Sequence, residues 1–132
     1  MGQKINPKGF RVTVTKDWDS KWFAKKSSFG NWLHEDLKIR EFVKKEFAHA
    51  AVARVVIHRH SSKMVVDIHT ARPGILASRK GEFARLETGV GKIAKTSDIK
   101  IDIKEIKKPE ANAQLVAENI AAQLKRRIGF RR

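Results

Sequence analysis

Two runs rich in Val and Ile, Ala53 to His60 and Met64 to Thr70, are separated by only Ser61-Ser62-Lys63. A link that short cannot carry the crossover that parallel strands need, so the two runs must pair as an antiparallel hairpin. Within it Val55 and Ile57 share one face, and Val66 and Ile68 share one face. A third strand reads from Ile99, Ile101 and Ile103 alternating with Lys100, Asp102 and Lys104, which gives one buried and one wet face. Between the second and third strands lie a short turn over Arg72 to Ala77, the loop Ser78-Arg79-Lys80-Gly81, and a helix.

That helix places Phe83, Leu86, Val90 and Ile93 at 3.6-residue spacing, although Gly89 and Gly91 predict fraying or a bend. An earlier helix is expected within 27–50, with Ser27-Ser28 as cap candidates and Ile39, Phe42, Val43, Phe47 and Ala50 as its core face. A last helix is expected after Lys108-Pro109-Glu110, where proline suits the first turn and the carboxylate complements the dipole. Val116, Ala117, Ile120, Ala121, Leu124 and Ile128 form its apolar stripe. Residues 1–26 carry seven basic and two acidic side chains without sustained periodicity, which predicts an extension held by a partner or packed through Phe10, Trp18, Trp22 and Phe23. The division expected is therefore a basic extension over 1–26 and one domain over 27–132.

Charge decides the class of partner. The 132 residues hold 29 Lys and Arg against 14 Asp and Glu, a formal charge of +15, and this makes polyanions the expected ligands. The end of the chain is the extreme case: Lys125, Arg126, Arg127, Arg131 and Arg132 stand in its last eight positions without an acid. Five cations far exceed what capping one helix dipole requires, so RNA contact is expected of them. The stretch from Thr70 to Glu82 is a second candidate contact, because glycine, a helix N-terminus and adjacent cations all favour a phosphate there.

Other chemistries find little support. With no cysteine, thiolate metal sites and cysteine nucleophiles are excluded. His58 and His60 lie two apart on a strand with His69 on the paired strand, yet no inward carboxylate completes a ligand set, so no metal or other cofactor is expected. Glu82 and Glu87 read as a surface pair, and neither a nucleophile elbow, a Walker loop nor a Rossmann fingerprint is present, so no enzyme is expected. The apolar runs are a few residues long and no secretory signal is visible, which predicts a soluble, cytoplasmic protein without a membrane partner.

The order helix, strand, strand, turn, loop, helix, strand, helix resembles a type II KH domain, an α+β fold with a three-stranded sheet and helices packed on one face, here with an N-terminal extension. That fold's GXXG loop clamps a few backbone nucleotides. The similarity extends to Met1-Gly2-Gln3-Lys4, Pro7, Gly9, Arg11, Trp18, Ser20 and Trp22-Phe23, then Ile68 to Ile75, Lys80-Gly81-Glu82, Lys108-Pro109-Glu110, Leu115-Val116-Ala117, Gln123-Leu124, Arg126-Arg127 and Phe130-Arg131-Arg132. On these blocks the chain resembles the bacterial-type small-subunit ribosomal protein S-three family. The resemblance implies a constituent of the small-subunit head that binds ribosomal RNA, touches neighbouring head proteins and borders the channel through which mRNA enters. There, cations matching Arg131 and Arg132 grip and unwind incoming message.

The RNA-binding residues expected on all these grounds are Lys4, Lys8, Arg11, Arg72, Ser78, Arg79, Lys80, Gly81, Arg126, Arg127, Arg131 and Arg132. Two departures stand out. The loop reads SXXG, with Ser78 where the family has glycine, which implies a weakened single-strand clamp. Family members also continue into a second αβ domain after the Phe-Arg-Arg run. The competing expectation is a free-standing KH-type regulator that reads short single-stranded RNA, with bases resting on an apolar groove beside Ile75 and Leu76.

Overall fold

The structure is a computed structural model that describes residues 2–60, 63–78, 80–94, 98–129 and 131, with only the backbone described at 78 and 80. The hairpin forms as its pattern requires: β2 (Val52–Arg59) and β3 (Met64–Thr70) pair antiparallel, with Val55 opposite Ile68 and Ile57 opposite Val66. A bulge between Val52 and Arg54 shifts the register, so that Val52 joins Val55 and Ile57 on the core side. The expected connecting residues Ser61 and Ser62 lie outside the described residues.

β4 (Ile99–Glu105) pairs parallel with β3 from Met64–Ile99 to Thr70–Glu105. Parallel pairing demands a crossover, which α3 (Pro73–Ser78) and α4 (Lys80–Ala94) supply. The sheet has a fourth strand that the sequence pattern does not show. β1 (Ser20–Lys21) pairs parallel with Ile57 and His58, giving the order β1-β2-β3-β4, so the sheet is four-stranded rather than three-stranded. Two residues are too few to carry a periodicity; the strand exists because the edge of β2 offers free backbone groups, one of which donates from Ile57 N–H to the Asp19 carbonyl at 2.9 Å.

One face of the sheet carries the core. α2 (Lys26–Glu46) contributes Ile39 and Val43, α3 contributes Leu76, and α4 contributes Leu86, Val90 and Ala94, packed on Val55, Ile57, Met64, Val66, Ile68 and Ile101. Burying each of these larger aliphatic side chains stabilises the fold by about 1.5–3 kcal/mol before entropy is counted. α2 has no side-chain cap; Lys25 occupies the N-cap position, so Ser27 and Ser28 are helix-interior residues and not the cap. The helix gives way to a 3-10 turn over Ala48–Ala50, which completes the expected core face with the buried Phe47 and Ala50.

α4 runs without interruption through both glycines, against the expected fraying. Gly89 has a packing reason: a Cβ there would lie 2.2 Å from Cζ of Phe42, so the missing side chain admits the ring of the facing helix.

The last helix also differs from expectation. Pro109 opens a 3-10 turn over Pro109–Ala111, and Asn112 is the true N-cap of α5 (Ala113–Lys125), its Oδ1 accepting from the N–H groups of Gln114 at 3.1 Å and Leu115 at 3.4 Å. Leu115 is its one buried residue; Val116, Ile120, Leu124 and Ile128 of the expected stripe are exposed, with Leu124 at 59%. The helices that cover the sheet are thus α2, α3 and α4, and α5 stands outside the core.

The N-terminal extension is fastened by a buried carboxylate. Asp36 of α2 is fully buried, and its Oδ2 accepts from Ser20 Oγ at 2.9 Å and from Trp22 Nε1 at 2.7 Å. Its Oδ1 accepts from Arg59 Nε at 3.0 Å and Nη2 at 2.7 Å. Arg59 also donates to Glu35 at 2.9 Å and stands 5.4 Å from the Trp32 ring centre, while Trp22 packs on Phe29 and Trp32. Of the four aromatic anchors expected in the extension, only Trp22 serves as one; Phe10, Trp18 and Phe23 are exposed, Phe23 at 91%.

Candidate nucleic-acid interface

The stretch from Thr70 to Glu82 is more helical than its residues suggest. Thr70, fully buried at the end of β3, donates its hydroxyl to the Ala50 carbonyl and accepts from the Arg72 N–H at 3.1 Å. This fixes where the strand ends and α3 begins. The expected turn from Arg72 to Ala77 is therefore mostly the short helix α3, with proline in its first turn where the missing N–H costs nothing. Arg72 and Gly74 are exposed at this corner.

Ser78 closes α3 in helical backbone, where a Cβ is tolerated, and so a serine can stand at the first position of the SXXG loop. Lys80 opens α4 and Gly81 follows in its first turn, exposed. Arg79 lies outside the described residues. Gly81 has no conformational need for glycine: its φ is not positive, and a Cβ built there meets nothing within 4 Å. Leu76 is fully buried in the core, and so no apolar groove for bases opens at that side chain.

The other expected residues fall into two further places. Lys4, Lys8 and Arg11 are exposed on the extension. There Asn6 caps the single turn α1 (Pro7–Phe10), and Arg11 Nη1 donates to the Pro7 carbonyl at 2.9 Å. At the other end α5 stops at Lys125, where Ile128 N–H donates to Gln123 and Arg127 adopts the left-handed conformation, φ 55°. Arg126, Arg127 and Arg131 are exposed beyond it, and Arg132 lies outside the described residues. Arg126 and Arg127 thus sit in a helix-terminating turn rather than on a continuing helix, close to the negative end of the α5 dipole.

The structure brings Lys8 and Arg11 together with cations that sequence reasoning missed. A cleft of about 810 Å³ is walled by the extension, α2, β2 and the start of α5, and its lining includes Lys8, Arg11, Lys16, Arg40, Lys44 and Arg54. Arg72, Arg126, Arg127 and Arg131 do not line it. Asp19 holds the wall in place, pairing with Lys8 at 3.2 Å and with Arg54 at 2.5 Å. No spacing in the sequence signals this grouping, because its cations come from three separate parts of the chain, the extension, α2 and β2.

The open face of the sheet is polar. Asp67, nearly buried, pairs with Lys104 and stands 3.4 Å from His58 Nε2. On the same face the His69 imidazole is held below its ordinary pKa by burial and then by the charges of Arg54 and Lys104. Among the described residues no group of three or more His, Asp or Glu could hold a metal ion, and no helix is long and apolar enough to cross a membrane.

A hairpin and a parallel third strand joined by two helices, α3 and α4, define an α+β domain of the KH type. Residues 38–111 match the family model described as KH domain, and the chain belongs to that family. The resemblance to the bacterial S-three family is upheld along the whole sequence. The chain is 50% identical over 133 residues to small ribosomal subunit protein uS3 of Magnetococcus marinus, covering 100% of this chain and 62% of that protein. It is 52% identical over 134 residues to uS3 of Myxococcus xanthus, covering 100% of this chain and 60% of the relative. With uS3 of Rhodopseudomonas palustris the figures are 53% over 131 residues, 98% and 55%. The chain thus spans about three fifths of the length of these curated relatives.

Proposed function

We propose that the chain is a structural, non-catalytic component of the small ribosomal subunit, working in the cytoplasm by binding ribosomal RNA and neighbouring proteins of the subunit head. The observation that carries this reading is the combination of a KH fold with about half identity to uS3 proteins over essentially the whole sequence. The mechanism is electrostatic positioning: exposed cations at the extension, the α3–α4 corner and the turn after α5 neutralise phosphates and fix the chain on a folded RNA.

Gly81 supports the corner as a contact. A glycine in a helix costs about 1 kcal/mol relative to alanine, and neither φ nor packing at this position repays it. Close approach of an RNA backbone to α4 gives the residue a purpose. Ser78, Arg79 and Lys80 act beside it as diffuse phosphate contacts and not as an independent clamp. Arg131 and Arg132 border the mRNA channel in this reading, with Arg126 and Arg127 anchoring the turn after α5. The extension over 1–26 and the domain over 27–132 act as one RNA-bound unit.

Sucrose-gradient sedimentation of lysate at physiological salt tests the reading, with detection of this chain across the fractions. It is expected in the small-subunit peak; its absence there overturns the proposal. For the channel role, replacing Arg131 and Arg132 with alanine is expected to slow translation of structured message more than of unstructured message. An equal effect on both would reduce these arginines to anchors.

A further inference from the structure

The cleft beneath the extension is separate from the KH corner, and an assignment for it rests on the reading of the chain as an RNA-binding component. We propose that it seats the phosphodiester backbone of a single RNA strand, held chiefly by Arg11, Lys16, Arg40 and Lys44.

Among the described residues its cations outnumber its carboxylates six to two. Both carboxylates are already engaged, Asp19 by Lys8 and Arg54 and Asp17 by Lys21. Arg40 is oriented by the fold, donating from Nη2 to Ser20 Oγ at 2.6 Å and from Nε to the Val55 carbonyl at 3.5 Å, and among the described residues Nη1 has no hydrogen-bond partner. Among the described residues Arg11, Lys16, Arg40 and Lys44 have no carboxylate partner. Like charges gathered in one concavity repel, and the fold gains nothing from them by itself; a polyanion removes the repulsion.

The rest of the lining fits a backbone. Ala53, Val55, Ala111 and Ala113 give a wall of small or compact side chains that lets a sugar-phosphate chain lie close. The N-terminal end of the thirteen-residue α5 adds the positive end of its dipole. A volume of about 810 Å³ suits a short length of one strand, and its concavity does not match the flat surface of a bilayer. Lys16 and Lys44 are exposed and have no side-chain partner among the described residues, so replacing them leaves the fold intact.

The test measures binding of the full chain to a labelled single-stranded RNA of about twenty nucleotides by fluorescence anisotropy over a range of KCl concentrations. Lys16→Gln with Lys44→Gln is compared with Lys92→Gln with Lys100→Gln, two exposed lysines outside the cleft. The cleft pair is expected to lower affinity about tenfold and to flatten the dependence of log K on log salt by about 1.4, at about 0.7 per single-strand phosphate released. The control pair is expected to cost less than about threefold.

Equal losses in the two pairs overturn the cleft while leaving RNA binding in place, since all cations would then act alike. Displacement of the RNA by polyglutamate at equal charge concentration also overturns it, because the site would then recognise acidic protein as readily as phosphate. Failure of the native chain to enter the small-subunit peak while anisotropy still shows the cleft effect would remove the ribosomal reading and keep the site.

Discussion

Removing the Asp36 carboxylate should be among the most damaging single changes in this chain. In Asp36→Ala the guanidinium of Arg59, whose side chain is 7% exposed, loses two bonds, and Ser20 and Trp22 lose their shared acceptor. Breaking a buried ion pair from one side costs about 3–5 kcal/mol, because a desolvated charge is left behind. Here Glu35 still reaches Arg59 Nη1 at 2.9 Å, which pulls the ionic part toward the lower end. The orphaned indole N–H adds about 1 kcal/mol. The total of about 4 kcal/mol is comparable with the whole stability of a marginal domain.

Urea unfolding followed by tryptophan fluorescence reads this directly, since Trp22 and Trp32 both surround the site. The decisive comparison is Asp36→Ala with Arg59→Met, which removes both charges. It should be at least about 1 kcal/mol more stable than Asp36→Ala alone, because replacing both partners by apolar groups avoids the unpaired charge. Two results would refute the reasoning: a single-variant loss under about 1 kcal/mol, or a double variant whose loss equals the sum of the singles.

Neighbouring glycines of α4 should respond with opposite signs. Gly91→Ala gains about 0.5–1 kcal/mol of helix propensity with its nearest contact at an ordinary 3.8 Å from Ile99 Cδ1, whereas Gly89→Ala drives a methyl into Phe42 and loses up to about 2 kcal/mol net; thermal unfolding with both variants stabilised would contradict the packing argument. Gly81→Ala should raise Tm slightly, by a similar propensity gain, yet weaken RNA binding in the anisotropy assay; undiminished affinity would remove the case for close backbone approach at the corner. His69 has a depressed pKa, so below its ordinary value of 6.5 the unfolded chain takes up the proton first. The stability it contributes is present above that pH and declines as pH falls through the folded value; His69→Gln should flatten the stability profile below about pH 6.5, and an unchanged slope would count against it.

How much of this molecule could be read beforehand depends on whether a residue's role is periodic. Val55, Ile57, Val66, Ile68 and Ile101 announce themselves by alternation, and Ile39, Val43, Leu86 and Val90 by helical spacing, so the three long strands, the core face and the two helices that supply most of its cover were legible. Asp36 was not, because one acid in a helix with balanced charges reads as solvated surface. Its burial depends on Ser20, Trp22 and Arg59 arriving from elsewhere in the chain. β1 is invisible for a related reason: a two-residue strand is defined by its partner and not by its own sequence. The stripe on α5 misled in the opposite sense, since Val116, Ile120 and Leu124 have the right spacing for a core face and yet remain exposed. Among the site residues, the charge runs at the termini were legible as cations, but the company that Lys8 and Arg11 keep was not.

Two carboxylates explain how a basic extension can become part of a binding surface instead of a loose tail. Asp36 is fully buried and satisfied four times over, so it fixes Ser20 and Trp22 to the domain and sets the register of β1. Asp19, one residue before that strand, is partly exposed and tolerates two cations at once, so it draws Lys8 back across β2 to Arg54. The first carboxylate supplies position at a high desolvation cost that its four bonds offset; the second supplies charge balance where solvent still screens. Without the first, Asp19 would have no fixed place from which to pair, and Lys8, Arg11 and Lys16 would disperse with the extension. With both, those cations face Arg40 and Lys44 across one cleft. Under the proposal made for this cleft, a phosphate chain would relieve the repulsion that the arrangement stores, and the extension and the domain would then act as a single RNA-facing surface.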